Sequence, residues 1–158
     1  MKRYIVTPDK HFPYEDKKAI SVVCKAIEAV KPDGYIDLGD TGEWASVSHW
    51  QWKRKTRPPL EYYLPNIIQE IDLVNKGIDK SLDKANVQEK HFITGNHDQW
   101  LNYFVDEFPY LDQYSLNTAI KLDERGYKVE PLGKLLTIGD MKYYHGHNYA
   151  GMNHASNH

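Results

Sequence analysis

Seven Asp, Asn and His side chains in this chain have the types and spacing of a site that binds divalent cations. They occur in four short stretches: Asp9-Lys10-His11, Gly39-Asp40, Gly95-Asn96-His97-Asp98 and His145-Gly146. Mixed Asp, His and Asn ligands suit borderline or harder ions, so we expect Mn first, with Fe, Zn, Co or Ni as alternatives. No cysteine accompanies these residues, which argues against a structural zinc cluster.

Each stretch follows a predicted strand. A strand, a helix and a second strand occur within the first 40 residues, and this βαβ order favours a parallel sheet. The carboxyl ends of parallel strands face one crevice, so residues that follow them can converge. The predicted strands are 2–7, 35–38, 90–94, 127–129, 135–138 and 141–144, and the predicted helices are 16–30, 64–82 and 100–122, the last interrupted at Pro109.

Each stretch taken alone also has an ordinary structural interpretation. Asp9-Lys10-His11 could be a surface turn, and Gly39-Asp40 could be an entry into a helix. The Gly95–Asp98 string is the most unusual of the four, and His145 could be a buried histidine that bonds to backbone. The ordered set at four strand ends is much more specific than any member.

The chemistry that such a set supports is hydrolysis. A carboxylate such as Asp40 can bridge two ions, and an ion pair polarises a phosphoryl group and lowers the pKa of a bound water. His97, beside a ligand without being needed as one, could protonate the departing oxygen.

The order Asp-x-His, Gly-Asp, Gly-Asn-His-Asp, His-Gly resembles the calcineurin-like metallophosphoesterase family, and the match spans nearly the whole chain. The resemblance implies an α/β fold with two facing sheets flanked by helices, an αββα sandwich. It implies one metal held by Asp9, His11 and Asp40, and a second that shares Asp40 and adds Asn96 and His145. His97 would be the catalytic histidine, grouped with Asp98. The run from Gly39 to Trp44 looks more like small bacterial or phage-encoded members than eukaryotic protein phosphatases.

One departure from the family pattern concerns the end of the chain. The family closes its site with Gly-His-x-His, whereas here Gly146-His147-Asn148-Tyr149 has tyrosine at the second histidine position. We therefore expect one domain over 1–158 that is incomplete at its C-terminus. Either the chain binds metal weakly, or other histidines partly replace the absent ligands. The candidates are His147, His154 and His158.

An aromatic and basic segment offers a second kind of site. Trp50, Trp52, Lys53 and Arg54 place two indoles beside cations, and Lys and Arg pair with phosphates while indoles stack on bases. A nucleic-acid contact is one interpretation. A solvated loop with tryptophans packed on the domain is the other.

Composition and the absence of long apolar runs bear on the partners and the location of the protein. The net charge of −2 gives no overall case for a polyanion partner, and Cys24 alone cannot form an intrachain disulfide. No apolar run is long enough to span a bilayer and no signal peptide is evident, so we predict a cytoplasmic protein without a membrane partner. If the chain lacks a final strand, as the departure from the family pattern suggests, an exposed sheet edge could promote self-association.

Two function classes follow from the sequence. The first is a phosphatase, phosphodiesterase or nuclease that acts on a phosphoester substrate. The second is a non-catalytic metallophosphoesterase-like binding module with an impaired metal site. A Rossmann-like nucleotide binder and a P-loop NTPase are disfavoured, because neither Gly-x-Gly-x-x-Gly after the first strand nor a Walker A motif is present.

Overall fold

The computed structural model describes residues 2–48, 50, 57–82 and 87–149. Six strands and four α-helices are described: β1 Tyr4–Thr7, α1 Lys17–Val30, β2 Gly34–Asp37, α2 Leu60–Ser81, β3 Glu89–Ile93, α3 Asn96–Glu107, α4 Leu116–Ala119, β4 Tyr127–Glu130, β5 Leu136–Ile138 and β6 Met141–Tyr143. Short 3-10 helices span Ala45–Val47, Pro109–Tyr114 and Gly146–Tyr149. Among these residues, no helix has the length and apolar character needed to cross a bilayer.

The fold is mixed α/β, with a four-stranded parallel sheet and a small antiparallel one. The parallel sheet has the order β1-β2-β3-β4, and β5 pairs antiparallel with β6. This confirms the parallel sheet expected from the βαβ pattern. A two-residue turn at Gly139-Asp140 joins β5 and β6.

The two faces of the parallel sheet are covered by different layers. Because side chains alternate along a strand, Tyr35 and Phe92 face the larger core, which includes apolar residues of α1, α2 and α3. Their neighbours Ile36 and Ile93 form a smaller core with Leu136 of β5. Helices therefore pack on one face of the sheet and the small sheet packs on the other.

Local signals set the helix ends that matter for the site. Asp16 caps α1 by accepting from the backbone N–H groups of Lys18 and Ala19 at 2.8 and 3.2 Å. The helix expected from Trp100 begins instead at Asn96, so the sequence-based start was wrong. The reason is a cap: Gly95, two residues beyond β3, is the N-cap residue, and its backbone N–H donates to the carboxylate of Asp98 three residues later.

Candidate metal centre

The strand ends bring the predicted ligands together at one edge of the parallel sheet. Asp9 and His11 follow β1, and Asp40 follows β2. The two loops are joined by backbone hydrogen bonds, from N of Asp9 to O of Gly39 at 3.1 Å and from N of His11 to O of Asp40 at 3.0 Å. Asn96 opens α3 directly beyond β3, and His145 arrives from the small sheet after β6.

One group of donor atoms comes from Asp9, His11 and Asp40. One ligand atom from each can be chosen so that all lie within 4.8 Å of one another. Ligands at about 2.0–2.2 Å from one ion lie no more than about 4.4 Å apart. A small side-chain adjustment would therefore let these three residues hold one divalent cation.

A second group forms around His145 and shares Asp40 with the first. Nε2 of His145 lies 2.9 Å from Oδ1 of Asn96 and 3.4 Å from Oδ2 of Asp40. Nδ1 of His145 donates to the backbone carbonyl of Leu38 at 2.8 Å, so a neutral ring would turn its Nε2 lone pair toward these oxygens. Nε2 of a neutral His145, Oδ1 of Asn96 and Oδ2 of Asp40 are all acceptors, so a proton on Nε2 or a cation between the three atoms is needed to hold them this close. These residues therefore also fit a metal ion.

Asp40 and His145 shift each other's pKa toward the charged forms. Burial raises the pKa of Asp40, but the hydrogen bond and charge of His145 and the backbone N–H of His97 outweigh it, and the net pKa is lowered. Burial lowers the pKa of His145, but the hydrogen bond and charge of Asp40 prevail and the net pKa is raised. The carboxylate form of Asp40, which is the form that binds metal, is thus favoured.

The backbone of the site loops is held in the left-handed region. The φ angles of Asp9 and His11 are both 48°, and that of Asp40 is 50°. Such conformations cost non-glycine residues on the order of 1–2 kcal/mol each and persist where the surrounding structure enforces them. Three of the five ligand candidates share this feature, which favours a functional origin.

Two glycines allow the loops to approach this closely. Gly39 has a φ of 93°, and a Cβ there would lie 2.4 Å from the backbone N of Gly95. A Cβ at Gly95 would lie 2.2 Å from Oδ1 of Asp40. The glycines in both motifs are therefore required by contact between the loops.

The ring of His97 is fixed from several sides. Its backbone N donates to Oδ1 of Asp40 at 2.8 Å, and its Nδ1 donates to the backbone carbonyl of Glu43 at 2.9 Å. The ring stacks on Trp100 at 4.1 Å and meets His11 edge-on at 4.7 Å between centroids. Because Nδ1 is used by a carbonyl, Nε2 is the nitrogen available to exchange a proton with a substrate.

Glu43 is a site residue to which sequence reasoning gave no role. Its carboxylate lies 2.8 Å from Nδ1 of His11 and 3.8 Å from Nδ1 of His97, and the three residues form another group able to hold an ion. The contact with His11 lacks hydrogen-bond geometry, and in the described part of the chain Nδ1 of His11 has no hydrogen bond. The only sequence signal was the position of Glu43 within the run from Gly39 to Trp44.

Asp98, predicted with His97 as catalytic, is fully buried. Its carboxylate accepts hydrogen bonds from the backbone N of Gly95 at 3.1 Å, the backbone N of Thr41 at 3.2 Å and Nε1 of Trp44 at 3.0 Å. Burial, with the charge of Asp40, raises the pKa of Asp98 to about 6 against the opposing hydrogen bond from Trp44. These contacts favour a role in joining the β2 and β3 loops over contact with a substrate.

A buried ion pair underlies the ligands, and sequence reasoning missed it. Lys10, the middle residue of Asp-x-His, points inward, and its Nζ lies 2.6 Å from Oδ1 of Asp37, with both side chains 2% exposed. Asp37 also accepts from the backbone N of Gly39 and from Oγ1 of Thr41. The pair therefore ties the β1 loop to the end of β2.

The remaining predicted residues are placed only in part. The ring of His147 lies 5.5 Å from that of His145, and its Nδ1 is buried without a hydrogen-bond partner among the described residues. Burial, together with the charge of His145, lowers the pKa of His147. Trp50 is 60% exposed. The other residues of the aromatic and basic segment, and the other two candidate replacement histidines, lie outside the described residues: Trp52, Lys53, Arg54, His154 and His158.

The chain is similar to phage proteins whose names state no activity. No family model matches the chain. It is 24% identical to the "Gene 54 protein" of Mycobacterium phage D29 over 141 residues, which cover 82% of this chain and 51% of that protein. It is 25% identical to the "Gene 54 protein" of Mycobacterium phage L5 over 146 residues, which cover 87% and 53%. The chain thus spans about half the length of these curated relatives, and both come from phages.

Proposed function

We propose that this chain is a metal-dependent phosphoesterase domain of the calcineurin-like type, which hydrolyses a phosphomonoester or phosphodiester. The observation that carries the proposal is the convergence of Asp9, His11, Asp40, Asn96 and His145 from separate strand ends, with Asp40 shared by two groups of donor atoms. Left-handed backbone at three of these residues supports it.

The layer order supports the corresponding fold. Helices cover one face of the parallel sheet and the small antiparallel sheet covers the other. We propose that these are parts of an αββα sandwich, in which the ligand loops meet at the carboxyl edge of the parallel sheet.

The protein groups have distinct roles in the proposed reaction. When bound, a pair of divalent cations such as Mn²⁺ supplies Lewis acidity and an activated water. Asp9, His11 and Asp40 would hold one cation, and Asn96 and His145, together with Asp40, would hold the second. Attack of a water oxygen on phosphorus would form one P–O bond and break the bond to the leaving oxygen, and the attacking water would release one proton to solvent. His97, oriented through Nδ1 by Glu43, gives that leaving oxygen a proton from Nε2.

Metal binding and hydrolysis are measured separately. We expect Mn²⁺ to bind in calorimetry, and to support hydrolysis of p-nitrophenyl or bis-p-nitrophenyl phosphate. Asp40→Asn should weaken Mn²⁺ binding and abolish turnover, whereas His97→Ala should bind Mn²⁺ and lose about 10²- to 10⁴-fold in kcat. Asp72→Asn, an exposed carboxylate paired with Lys76, is the matched control and should change neither. Mn²⁺ binding that is unchanged by Asp40→Asn would overturn the proposal.

The alternative, a non-catalytic binding module, rests on the departure at Tyr149. It predicts Mn²⁺ binding that depends on Asp40 but no turnover of either ester. Hydrolysis that is lost in the His97→Ala variant would exclude this alternative.

A further inference from the structure

A cavity beside the metal centre has no role in the proposed reaction. Its volume is about 290 Å³, near the lower end of small-molecule sites. None of the ligand candidates lines it. Its walls are Pro13, Tyr14, Ala45, Ser46, Asn66, Gln69, Glu70 and Leu73.

Two site loops lead directly from the ligands to this cavity. Phe12 forms a parallel bridge with Gly42, and the backbone N of Glu43 donates to O of Phe12 at 3.0 Å, so the loops leave the metal centre side by side. Tyr14 is three residues beyond His11, and Ser46 is three residues beyond Glu43. Three residues span at most about 11 Å, so the Cα atoms of Tyr14 and Ser46 lie no farther than this from those of His11 and Glu43, which is a separation that a small substrate can bridge.

The far wall is one face of α2. Asn66, Glu70 and Leu73 are spaced by four and three residues, which places them on the same side of the helix, with Gln69 beside them. The Glu70 carboxylate accepts from the backbone N of Ala45 at 2.9 Å and from the backbone N and hydroxyl of Ser46. Its hydrogen-bonding capacity is largely used in holding the 3-10 helix Ala45–Val47.

The chemistry of the lining specifies the kind of group that fits. Apart from Glu70, the ionisable residue of the lining is Tyr14, which is 74% exposed and whose ring offers a stacking surface. Asn66 and Gln69 each present a donor and an acceptor on a neutral carboxamide. The cavity therefore suits an uncharged planar group with both donors and acceptors and an apolar face.

We propose that this cavity binds the base of a nucleoside phosphoester whose phosphate lies at the metal centre. The proposal rests on the proposed function and names its substrate class. Asn66 and Gln69 would bond to the edge of the base and Tyr14 would stack on its face. The sugar would span the paired loops between the cavity and the ligands.

The test compares two esters that share a leaving group. Thymidine 5′-(p-nitrophenyl phosphate) carries a base, and bis-p-nitrophenyl phosphate does not. With Mn²⁺, kcat/KM should be higher for the thymidine ester, and the ratio of the two values should fall about 3- to 10-fold in Asn66→Ala and Gln69→Ala. Tyr14→Ala should lower the ratio roughly tenfold. Gln113→Ala, an exposed glutamine on the 3-10 helix Pro109–Tyr114, should leave it unchanged.

Nucleoside binding without metal separates this proposal from the proposed function. In the presence of EDTA, saturation-transfer NMR should detect thymidine, adenosine, guanosine or cytidine at millimolar concentration, and Tyr14→Ala should reduce the signal. Hydrolysis of bis-p-nitrophenyl phosphate with no nucleoside binding and no preference for the thymidine ester would overturn the pocket alone. Nucleoside binding without Mn²⁺-dependent hydrolysis of either ester would overturn the proposed function and leave a base-binding pocket.

Discussion

Removing the charge of Lys10 should destabilise the protein strongly, although this residue is the unspecified position x of Asp-x-His. In Lys10→Met the aliphatic stem remains, but Asp37 is left as a buried carboxylate. Among the described residues, the N–H of Gly39 and the hydroxyl of Thr41 are the groups that would still donate to it. Breaking a buried ion pair by removing one partner costs about 3–5 kcal/mol.

This loss is large compared with the total stability of a domain, which is on the order of 5–15 kcal/mol. At about 2–4 °C per kcal/mol for a chain of this size, the melting temperature should fall by roughly 6–20 °C. Urea unfolding followed by tryptophan fluorescence measures the free energy directly, because Trp44 and Trp100 are buried. Lys25→Met, at an exposed position on α1, is the matched control and should change the free energy of unfolding by less than about 0.5 kcal/mol.

A double variant shows whether the ion pair itself is responsible. In Lys10→Met/Asp37→Asn neither position 10 nor position 37 carries a charge, and the amide oxygen of residue 37 can still accept from Gly39. We expect the double variant to be more stable than Lys10→Met, with clear non-additivity between the two changes. A Lys10→Met cost below about 1 kcal/mol, or strict additivity, would refute the reasoning.

Two further predictions concern the backbone and the pH dependence. His11→Gly should be about 1–2 kcal/mol more stable than His11→Ala in urea unfolding, because glycine adopts the φ of 48° without steric cost; equal stability would remove the argument from strain. Hydrogen bonds from Lys2, Tyr4 and His91 lower the pKa of Glu89 to about 2, so its ionised form stabilises the fold above pH 4.5 and this contribution is lost as pH falls toward 2. The free energy of unfolding should therefore fall less over that range in Glu89→Gln, by a modest amount that salt reduces; identical acid profiles would contradict this.

The βαβ order predicted the parallel sheet, because the succession of a strand, a helix and a strand can be recognised from short stretches of the chain. The strand ends then predicted which polar residues could meet, since parallel strands share a carboxyl edge. Asp9, Asp40 and Asn96 could therefore be chosen together before any distance was known. The packing of the small sheet on the opposite face depends on long-range contacts of Ile36, Ile93 and Leu136, and no local pattern specifies them.

The supporting residues of the site were harder to predict, for the same reason. Lysine is seldom fully buried, so nothing in Asp-x-His indicates that Lys10 points inward toward Asp37. Asp98 was grouped with the catalytic histidine because the two are adjacent in sequence, but the first turn of α3 directs its carboxylate toward Trp44 and Thr41. The side-chain contacts between the loops that follow β1, β2 and β3 depend on the geometry of those loops. Loops have no regular hydrophobic period, so a single sequence does not predict these contacts.

The backbone of the candidate metal centre is strained at three of the predicted ligands, and buried polar contacts stabilise the same loops. The left-handed residues Asp9, His11 and Asp40 cost the fold free energy, while Lys10–Asp37 and the hydrogen bonds to Asp98 hold the same loops from the buried side. The stabilising groups are therefore distinct from most of the atoms that would bind metal. For this reason a ligand variant such as Asp40→Asn, which keeps an oxygen to accept from the N–H of His97, can lose metal affinity while the loops stay in place.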